Sequence, residues 1–213
     1  MVMGFTGMKT LDDVLKSGDK LRFGGTRAGA SSDDLPKLMD ALMGTNLRVI
    51  SGYKGTGPIR VALQSREINA LCSGWESMRV TARTLLDANG DDKLIPFVFH
   101  GKVEDAEVKD LPQFTKVIKG EENVAAFRAW VNQYEFQRPL MVPPKTPKDK
   151  LQALRMGLQK TLTDREFMAE AKKSKLVIEN VTGEDVERSV EEILTISPAV
   201  KKKLLVLAPG KKG

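Results

Sequence analysis

Several residue types on which common kinds of functional site depend are scarce in this sequence. Its 213 residues include one cysteine, Cys72, and one histidine, His100. A lone cysteine excludes an intramolecular disulfide and a zinc site built from several cysteines, and a lone histidine excludes a histidine-rich metal site. Any Ser-His or Cys-His nucleophile would depend on His100, which has no evident partner in the sequence. We therefore assign no catalytic residue, no metal and no cofactor.

Long apolar runs and aromatic residues are also lacking. No stretch approaches the ~18 to 20 apolar residues that cross a bilayer, and the N-terminus has no secretory signal pattern, so on this ground the chain is expected to stay where it is made. Aromatic residues make up 6% of the chain and are scattered, whereas nucleic-acid surfaces interleave them with basic residues. Much of the net charge of +6 comes from a lysine-rich C-terminus. We expect no nucleic-acid partner.

The residues that are present are typical of a folded protein with helices and strands. Hydrophobic residues amount to 41% and charged residues to 29%, near the averages for globular proteins. The first half alternates short apolar runs with helical patterns, which predicts an α/β fold with a mostly parallel sheet covered by helices. The predicted strands are 21–23, 46–51, 68–72 and 94–99, and the predicted helices are 33–43, 59–64 and 75–88.

The second half is mostly helical in pattern. Its proline-rich passage, 138–144, has to be extended, because a residue that precedes proline is disfavoured in the α region. We place a boundary there, with one lobe over 1–137 and a C-terminal segment over 138–213. The patterns predict helices over 121–137, from Pro147 through a leucine stripe to Leu162, over 164–174, and onward from Thr182 and Ser197, with a strand at 176–179.

The Gly-rich turn from Gly24 to Gly29 is a candidate anion site. Its two glycines have the spacing of a phosphate loop, but Ala30 stands where a nucleotide-hydrolysing loop needs lysine. The amides at the start of the following helix, with the hydroxyls of Thr26, Ser31 and Ser32, can still donate to an anion. The alternative is a tight turn that only caps the helix through Ser32.

Two further turns follow the next strands. Tyr53 offers an aromatic wall and a hydroxyl beside Gly55 and Thr56, although packing alone also explains a tyrosine there. Trp75 and Glu76 occupy the corresponding place after the third predicted strand. Trp75 is equally typical of a core, and Glu76 of the first turn of a helix.

The segment Gly52–Pro58, the apolar helix after it and Arg66–Ala70 resemble a stretch of the solute-binding proteins of tripartite tricarboxylate transporters, the Bug family. The match extends over roughly residues 10 to 205. Further passages are similar to the same family in the same order: Gly25–Ser32, Arg138-Pro139, Pro143–Pro147 and Leu162–Phe167.

The resemblance implies a periplasmic-binding-protein-like fold of the Venus-flytrap type, in which residues 1–137 form the second ligand-binding lobe. Residues 138–213 are then a C-terminal helical crossover segment that would complete the first lobe. It implies a periplasmic receptor, not an enzyme, that closes on a small organic carboxylate and presents it to the permease subunits of a tripartite transporter. Arg27 and Lys54 are candidate cationic helpers. The implied ligand contacts are Thr26, Gly29, Ser31, Ser32, Tyr53, Gly55 and Thr56, with Trp75 and Glu76 in a third loop.

Family members also carry a signal peptide and most of a first lobe, which have no counterpart in this sequence. The C-terminal leucine stripe, Phe167 and Met168 would then need another apolar partner, which predicts a homodimer or packing against the chain's own lobe. Two other functions stay open. One is a small α/β enzyme or module that binds a phosphorylated ligand, and the other is a truncated interaction module without ligand binding.

Overall fold

The computed structural model describes residues 1–101, 105–134, 139–174, 176, 178 and 180–207. Within them, one five-stranded sheet has the strand order β3-β2-β4-β1-β5. β2 pairs in parallel with β3 and β4, whereas β1 pairs antiparallel with β4 and β5. Four strands therefore run in one direction and β1 runs against them. The strands are β1 (Val2–Met3), β2 (Arg22–Gly24), β3 (Arg48–Ile50), β4 (Ala70–Leu71) and β5 (Leu94–Ile95).

The helices confirm the α/β class. The first half of the chain contains α1 (Leu11–Leu15), α2 (Ser31–Met43), α3 (Thr56–Gln64), α4 (Trp75–Thr81) and α5 (Arg83–Leu86). The remainder contains α6 (Phe114–Val117), α7 (Glu121–Val131), α8 (Lys148–Thr163), α9 (Arg165–Lys173), α10 (Gly183–Leu194) and α11 (Pro198–Leu207).

The strand β1 has no counterpart among the sequence predictions. It is two residues long, and both Val2 and Met3 are buried, so its sequence shows no alternation of apolar and polar residues. Its place is set by pairing, because Val2 lies opposite Ala70 on one side and Ile95 on the other. Such long-range partners cannot be read from a two-residue pattern.

The helix predicted over 75–88 is two helices. Ala82 separates α4 from α5, with φ −128° and ψ 21°. Thr81 Oγ1 donates to the Ser77 carbonyl at 2.8 Å, a local bond of the kind that bends helices.

Two other predicted elements extend into residues that the structure does not describe. The helix predicted over 121–137 ends as α7 at Val131 and continues as a 3₁₀ turn, Asn132–Tyr134. Residues 135–137 lie outside the described part of the chain, as do 175, 177 and 179 of the strand predicted at 176–179. That strand stays a prediction.

The chain divides into two compact units. The first comprises Met1–Arg128 and the segment that begins at Ser197, and the second comprises Ala129–Ile196. The buried apolar side chains of the first unit include Leu21, Leu38 and Leu63, which are fully buried. Each such side chain contributes about 1.5 to 3 kcal/mol by leaving water. The predicted boundary at 137/138 stays a prediction, because residues 135–138 are not among those described.

Candidate functional site

Two loops leave the same edge of the sheet side by side. The first loop, residues 25–30, follows β2, and the second loop, residues 51–55, follows its parallel neighbour β3. Gly25 N donates to the Ile50 carbonyl at 2.9 Å, and Tyr53 N donates to the Gly25 carbonyl at 3.2 Å. Gly52 N donates to the Thr26 carbonyl, also at 3.2 Å. The carboxyl ends of parallel strands are where α/β proteins bind ligands.

A third loop belongs to the same edge. Residues 72–74 follow β4, which pairs in parallel with β2 on the side opposite β3. Trp75 and Glu76 begin α4 directly after this loop. The topology thus brings the three predicted loops to one edge, with the first loop in the middle.

The buried carboxylate of Asp33 holds the first loop. Asp33 is 0% exposed, and its Oδ2 accepts from Arg27 N at 3.0 Å and from Ser32 Oγ at 3.3 Å. Its Oδ1 accepts from the hydroxyl of Ser51, in the second loop. Lys37 Nζ lies 3.7 Å from the same oxygen. One carboxylate therefore contacts both loops and the helix α2.

Gly25 leaves the room that this carboxylate occupies. A Cβ added at Gly25 would lie 2.3 Å from Asp33 Oδ2, far inside van der Waals contact. Any larger residue at position 25 would displace either the loop or the carboxylate. The glycine of the predicted turn is therefore needed for packing against Asp33.

Asp34 holds the end of the first loop in a similar way. It is 2% exposed, and its Oδ1 accepts from Gly29 N at 3.2 Å. Removal from water raises the pKa of this carboxyl above its ordinary value, and the bond from Gly29 opposes that shift. Gly29 itself has φ +85°, a conformation that glycine adopts without strain.

The donors at the start of α2 are partly used within the chain. The amides of Asp33 and Asp34 both donate to the Ala30 carbonyl at 2.9 Å, so the expectation that they are free is wrong. The N-cap is Ala30, and Ser32 lies in the first turn, where its Oγ accepts from Thr26 N at 3.2 Å. The prediction that Ser32 caps the helix is therefore also wrong.

Some donors in the first loop and at the start of α2 have no hydrogen-bond partner within the part of the chain that the structure describes. Among the described residues, neither the amide of Ala28 nor the amide and hydroxyl of Ser31 has a hydrogen-bond partner. Ala28 is exposed and Ser31 is half-buried. These groups, rather than the amides of Asp33 and Asp34, are available to an incoming anion.

Both the ring and the hydroxyl of Tyr53, in the second loop, make contacts within the protein. Its ring packs against the apolar core of the first unit, and its hydroxyl donates to Glu67 Oε1. Burial, followed by the bond to Glu67, raises the pKa of the phenol to about 12. The structure thus supports a packing role for the ring.

The second loop ends at the start of α3. Gly55 is the N-cap, with φ +111°, and Thr56 is the first helical residue. Thr56 Oγ1 accepts from Arg60 at 3.5 Å. In the third loop, Trp75 packs against the same core as Tyr53, and Glu76 is half-buried.

His100 and Cys72, the first residue of the third loop, lie in an apolar environment. Both line a small apolar cavity of about 70 Å³ with Phe23, Phe97 and Phe127. Burial lowers the pKa of His100 and raises that of Cys72 to about 11, so both side chains are neutral near pH 7. A neutral thiol and a neutral imidazole do not form an activated nucleophile.

The described residues include neither a cluster suited to a metal ion nor a helix suited to span a membrane. No group of three or more histidine, cysteine, aspartate or glutamate residues in that part of the chain is arranged to hold a metal ion. None of the described helices combines the length and apolar character of a membrane span.

Sequence reasoning missed Asp33, Asp34 and Ser51 as residues that organise the loops. In the sequence, acidic residues at these two positions indicate only the favourable interaction of carboxylates with a helix N-terminus. Adjacent carboxylates after a glycine-rich turn are a usable signal, since such side chains commonly accept bonds from preceding loop amides. Nothing in the sequence indicates that Ser51 reaches Asp33, because strand pairing creates that contact.

Comparison with known proteins finds a similar fold but identifies no family. No protein-family model matches the sequence, and a search of curated proteins finds no match. The structure is similar to that of Rpa4515 from R. palustris solved with adipate, with a TM-score of 0.59 and 13% sequence identity. The similarity covers 97% of this chain and 63% of that protein, so the chain spans less than two thirds of Rpa4515. At this identity the likeness shows the fold.

Proposed function

We propose that this chain is a solute-binding receptor, or part of one, for a small organic carboxylate. The observation that carries the proposal is the similarity of nearly the whole chain to Rpa4515, a protein whose structure was solved with adipate. The three loops at the carboxyl edge of the sheet support it, because backbone amides and hydroxyls at such edges suit carboxylates. Binding of this kind involves no covalent step.

The proposed ligand contacts are the residues named from the sequence. In the first loop and the first turn of α2 these are Thr26, Gly29, Ser31 and Ser32. The amide and hydroxyl of Ser31, which have no partner among the described residues, are the best available donors. In the other loops they are Tyr53, Gly55, Thr56, Trp75 and Glu76. The exposed side chains of Arg27 and Lys54 offset the charge of a carboxylate that approaches the buried Asp33 and Asp34.

The cellular setting belongs to the same proposal. A receptor of this class works in the periplasm and delivers its ligand to the permease subunits of a tripartite transporter. The resemblance of the loop motifs to the Bug family supports this setting.

An NMR titration of the isotopically labelled protein tests the ligand class. The panel is adipate, an aliphatic monocarboxylate, an aromatic carboxylate and inorganic phosphate. We expect carboxylates to shift the amide signals of residues 26–32 and 53–56, while signals of α8 stay fixed. A folded sample without shifts in these loops would contradict the proposal, and a response to phosphate alone would favour the phosphorylated-ligand alternative.

We further propose that the apolar faces of α8 and α9 mediate a homodimer. Leu154 is 58% exposed, and Phe167 and Met168 are also exposed. Exposed apolar patches of this kind favour association. Size-exclusion chromatography with light scattering should show a dimer that Leu154→Glu converts to monomer, whereas Val80→Glu, at an exposed position of α4, should leave it intact. A monomer at all concentrations would refute the dimer.

A further inference from the structure

We propose that Asp33 is a positioning residue, which fixes the first loop against the second loop through the hydroxyl of Ser51. With respect to ligand affinity, this inference rests on the proposed function of the same loops. The link itself is a property of the ligand-free protein, and it can be measured without a ligand.

The Asp33 carboxylate is held where both loops can reach it. The residue lies in the first turn of α2 and is completely buried. A buried carboxylate is strongly unfavourable unless hydrogen bonds or a charge partner compensate it. Two donors are supplied by the first-loop side, Arg27 N and Ser32 Oγ, and one by the second loop, Ser51 Oγ.

Removal of any one donor therefore affects the others. If Ser51 loses its hydroxyl, Asp33 Oδ1 keeps only Lys37, whose Nζ lies at 3.7 Å, beyond ordinary hydrogen-bond distance. A buried carboxylate oxygen without a donor is unfavourable, so we expect the Asp33 side chain to rotate toward water. This rotation would break its hydrogen bond to Arg27 N. A change in the second loop is thereby transmitted to the first loop.

Gly25 adds an independent indication that this position is built for the carboxylate. The Asp33 carboxyl group lies against the Gly25 Cα, at a distance that no side chain at residue 25 could accommodate. The conformation of the first loop therefore depends on a glycine at position 25 as well as on the hydrogen bonds to Asp33.

The other end of α2 provides a matched control. Asp40 accepts from Thr45 Oγ1 at 3.1 Å and from Leu47 N at 3.1 Å. It is an aspartate of the same helix with a hydroxyl and an amide as donors, but the segment it holds precedes β3 and lies outside the three candidate loops. Its variants report what the loss of a helix-to-loop bond does in general.

The test compares Ser51→Ala and Asp33→Asn with Thr45→Val and Asp40→Asn. The first readout is the amide spectrum of the ligand-free proteins. We expect Ser51→Ala to shift the signals of Arg27 and Gly29, and Asp33→Asn to shift those of residues 52–55. Thr45→Val and Asp40→Asn should leave all of these signals in place.

The second readout is the dissociation constant for adipate. We expect Ser51→Ala and Asp33→Asn each to weaken binding about tenfold, which lies within the range of coupling between residues in contact. The double variant should be no weaker than the more affected single variant, because both changes break the same link. Thr45→Val and Asp40→Asn should stay within about twofold of the unmodified protein.

The outcomes separate this inference from the proposed function. If the unmodified protein binds no carboxylate, the proposed function fails, and the amide spectra still decide whether the loops are linked. The link would be overturned if Ser51→Ala shifted only signals of the second loop, or if Asp33→Asn shifted only signals of α2 and the first loop. Equal weakening of adipate binding by Thr45→Val and Ser51→Ala would also overturn it, since the effect would then be general.

Discussion

The two compact units of this chain form helices for different reasons. In the first unit, helices pack on a sheet, and fully buried side chains such as Ile59, Leu63 and Leu94 fill the space between them. In the described part of the second unit, only Val131 and Ala171 are buried. The first unit is stabilised mainly by removal of apolar surface from water, which is the dominant favourable contribution to folding.

Local interactions account for much of the helical structure of the second unit. Asp164 caps α9 by accepting from Phe167 N at 2.8 Å, and Thr182 caps α10 by accepting from Asp185 N at 3.1 Å. Arg155 of α8 pairs with Glu184 at 2.8 Å and with Glu187 at 2.6 Å. Exposed ion pairs contribute little, and helices depend largely on packing of an apolar face. The comparison shows that well-formed helices do not by themselves imply a core.

The largest expected effect is the loss of a core side chain in the first unit. Leu63→Ala removes a completely buried side chain and should lower the free energy of unfolding by about 2 to 5 kcal/mol. Leu154→Ala, at an exposed position of α8, should lower it by less than about 0.5 kcal/mol. Urea denaturation at low protein concentration measures both, and equal losses would contradict the contrast between the units.

A smaller effect is expected at the glycine beneath the buried carboxylate. Gly25→Ala introduces a Cβ that collides with the Asp33 carboxyl group and should lower the free energy of unfolding by about 1 to 3 kcal/mol. Gly57→Ala, where an added Cβ meets no atom within 4 Å, is the control. Thermal denaturation of the two variants should separate them, and a Gly25→Ala protein as stable as the control would disprove the close packing.

Removal of a cap tests the local stabilisation of the second unit. Thr182→Ala deletes the side chain that caps α10 and should lower the free energy of unfolding by about 1 kcal/mol, whereas Thr182→Ser should keep most of it. Amide hydrogen exchange of α10 is the suitable measurement. Unchanged exchange in Thr182→Ala would mean that tertiary contacts, and not the cap, hold the helix.

The smallest effect concerns acid pH in the first unit. Burial lowers the pKa of His100 in the folded protein, so the unfolded chain takes up a proton first as the pH falls. The stability contributed by neutral His100 is complete above about pH 6.5 and decreases below it. His100→Phe should therefore lose less stability between pH 7.5 and pH 5 than the unmodified protein. Identical pH profiles for the two proteins would exclude this contribution.

Much of the first unit could be predicted from the sequence because its signals are local. Gly44 ends α2 in the left-handed conformation that glycine favours, and the glycine-rich turns stand between strands and helices as expected. The α/β class follows from the alternation of these elements. The position of β1 did not follow, because the pairing of Val2 with Ala70 and Ile95 joins residues far apart in the chain.

The same contrast between local signals and long-range contacts applies to the candidate site. The sequence by itself determined which loops carry small residues and hydroxyls, since glycine, serine and threonine identify turns and helix starts through their own local geometry. Only the tertiary structure decided how those loops are used: parallel pairing of β2 and β3 brings Ser51 to Asp33, and the buried carboxylates then take up donors that the sequence left open. The physical reason is that backbone conformation is set by near neighbours, whereas the partner of a buried polar group is set by the fold as a whole.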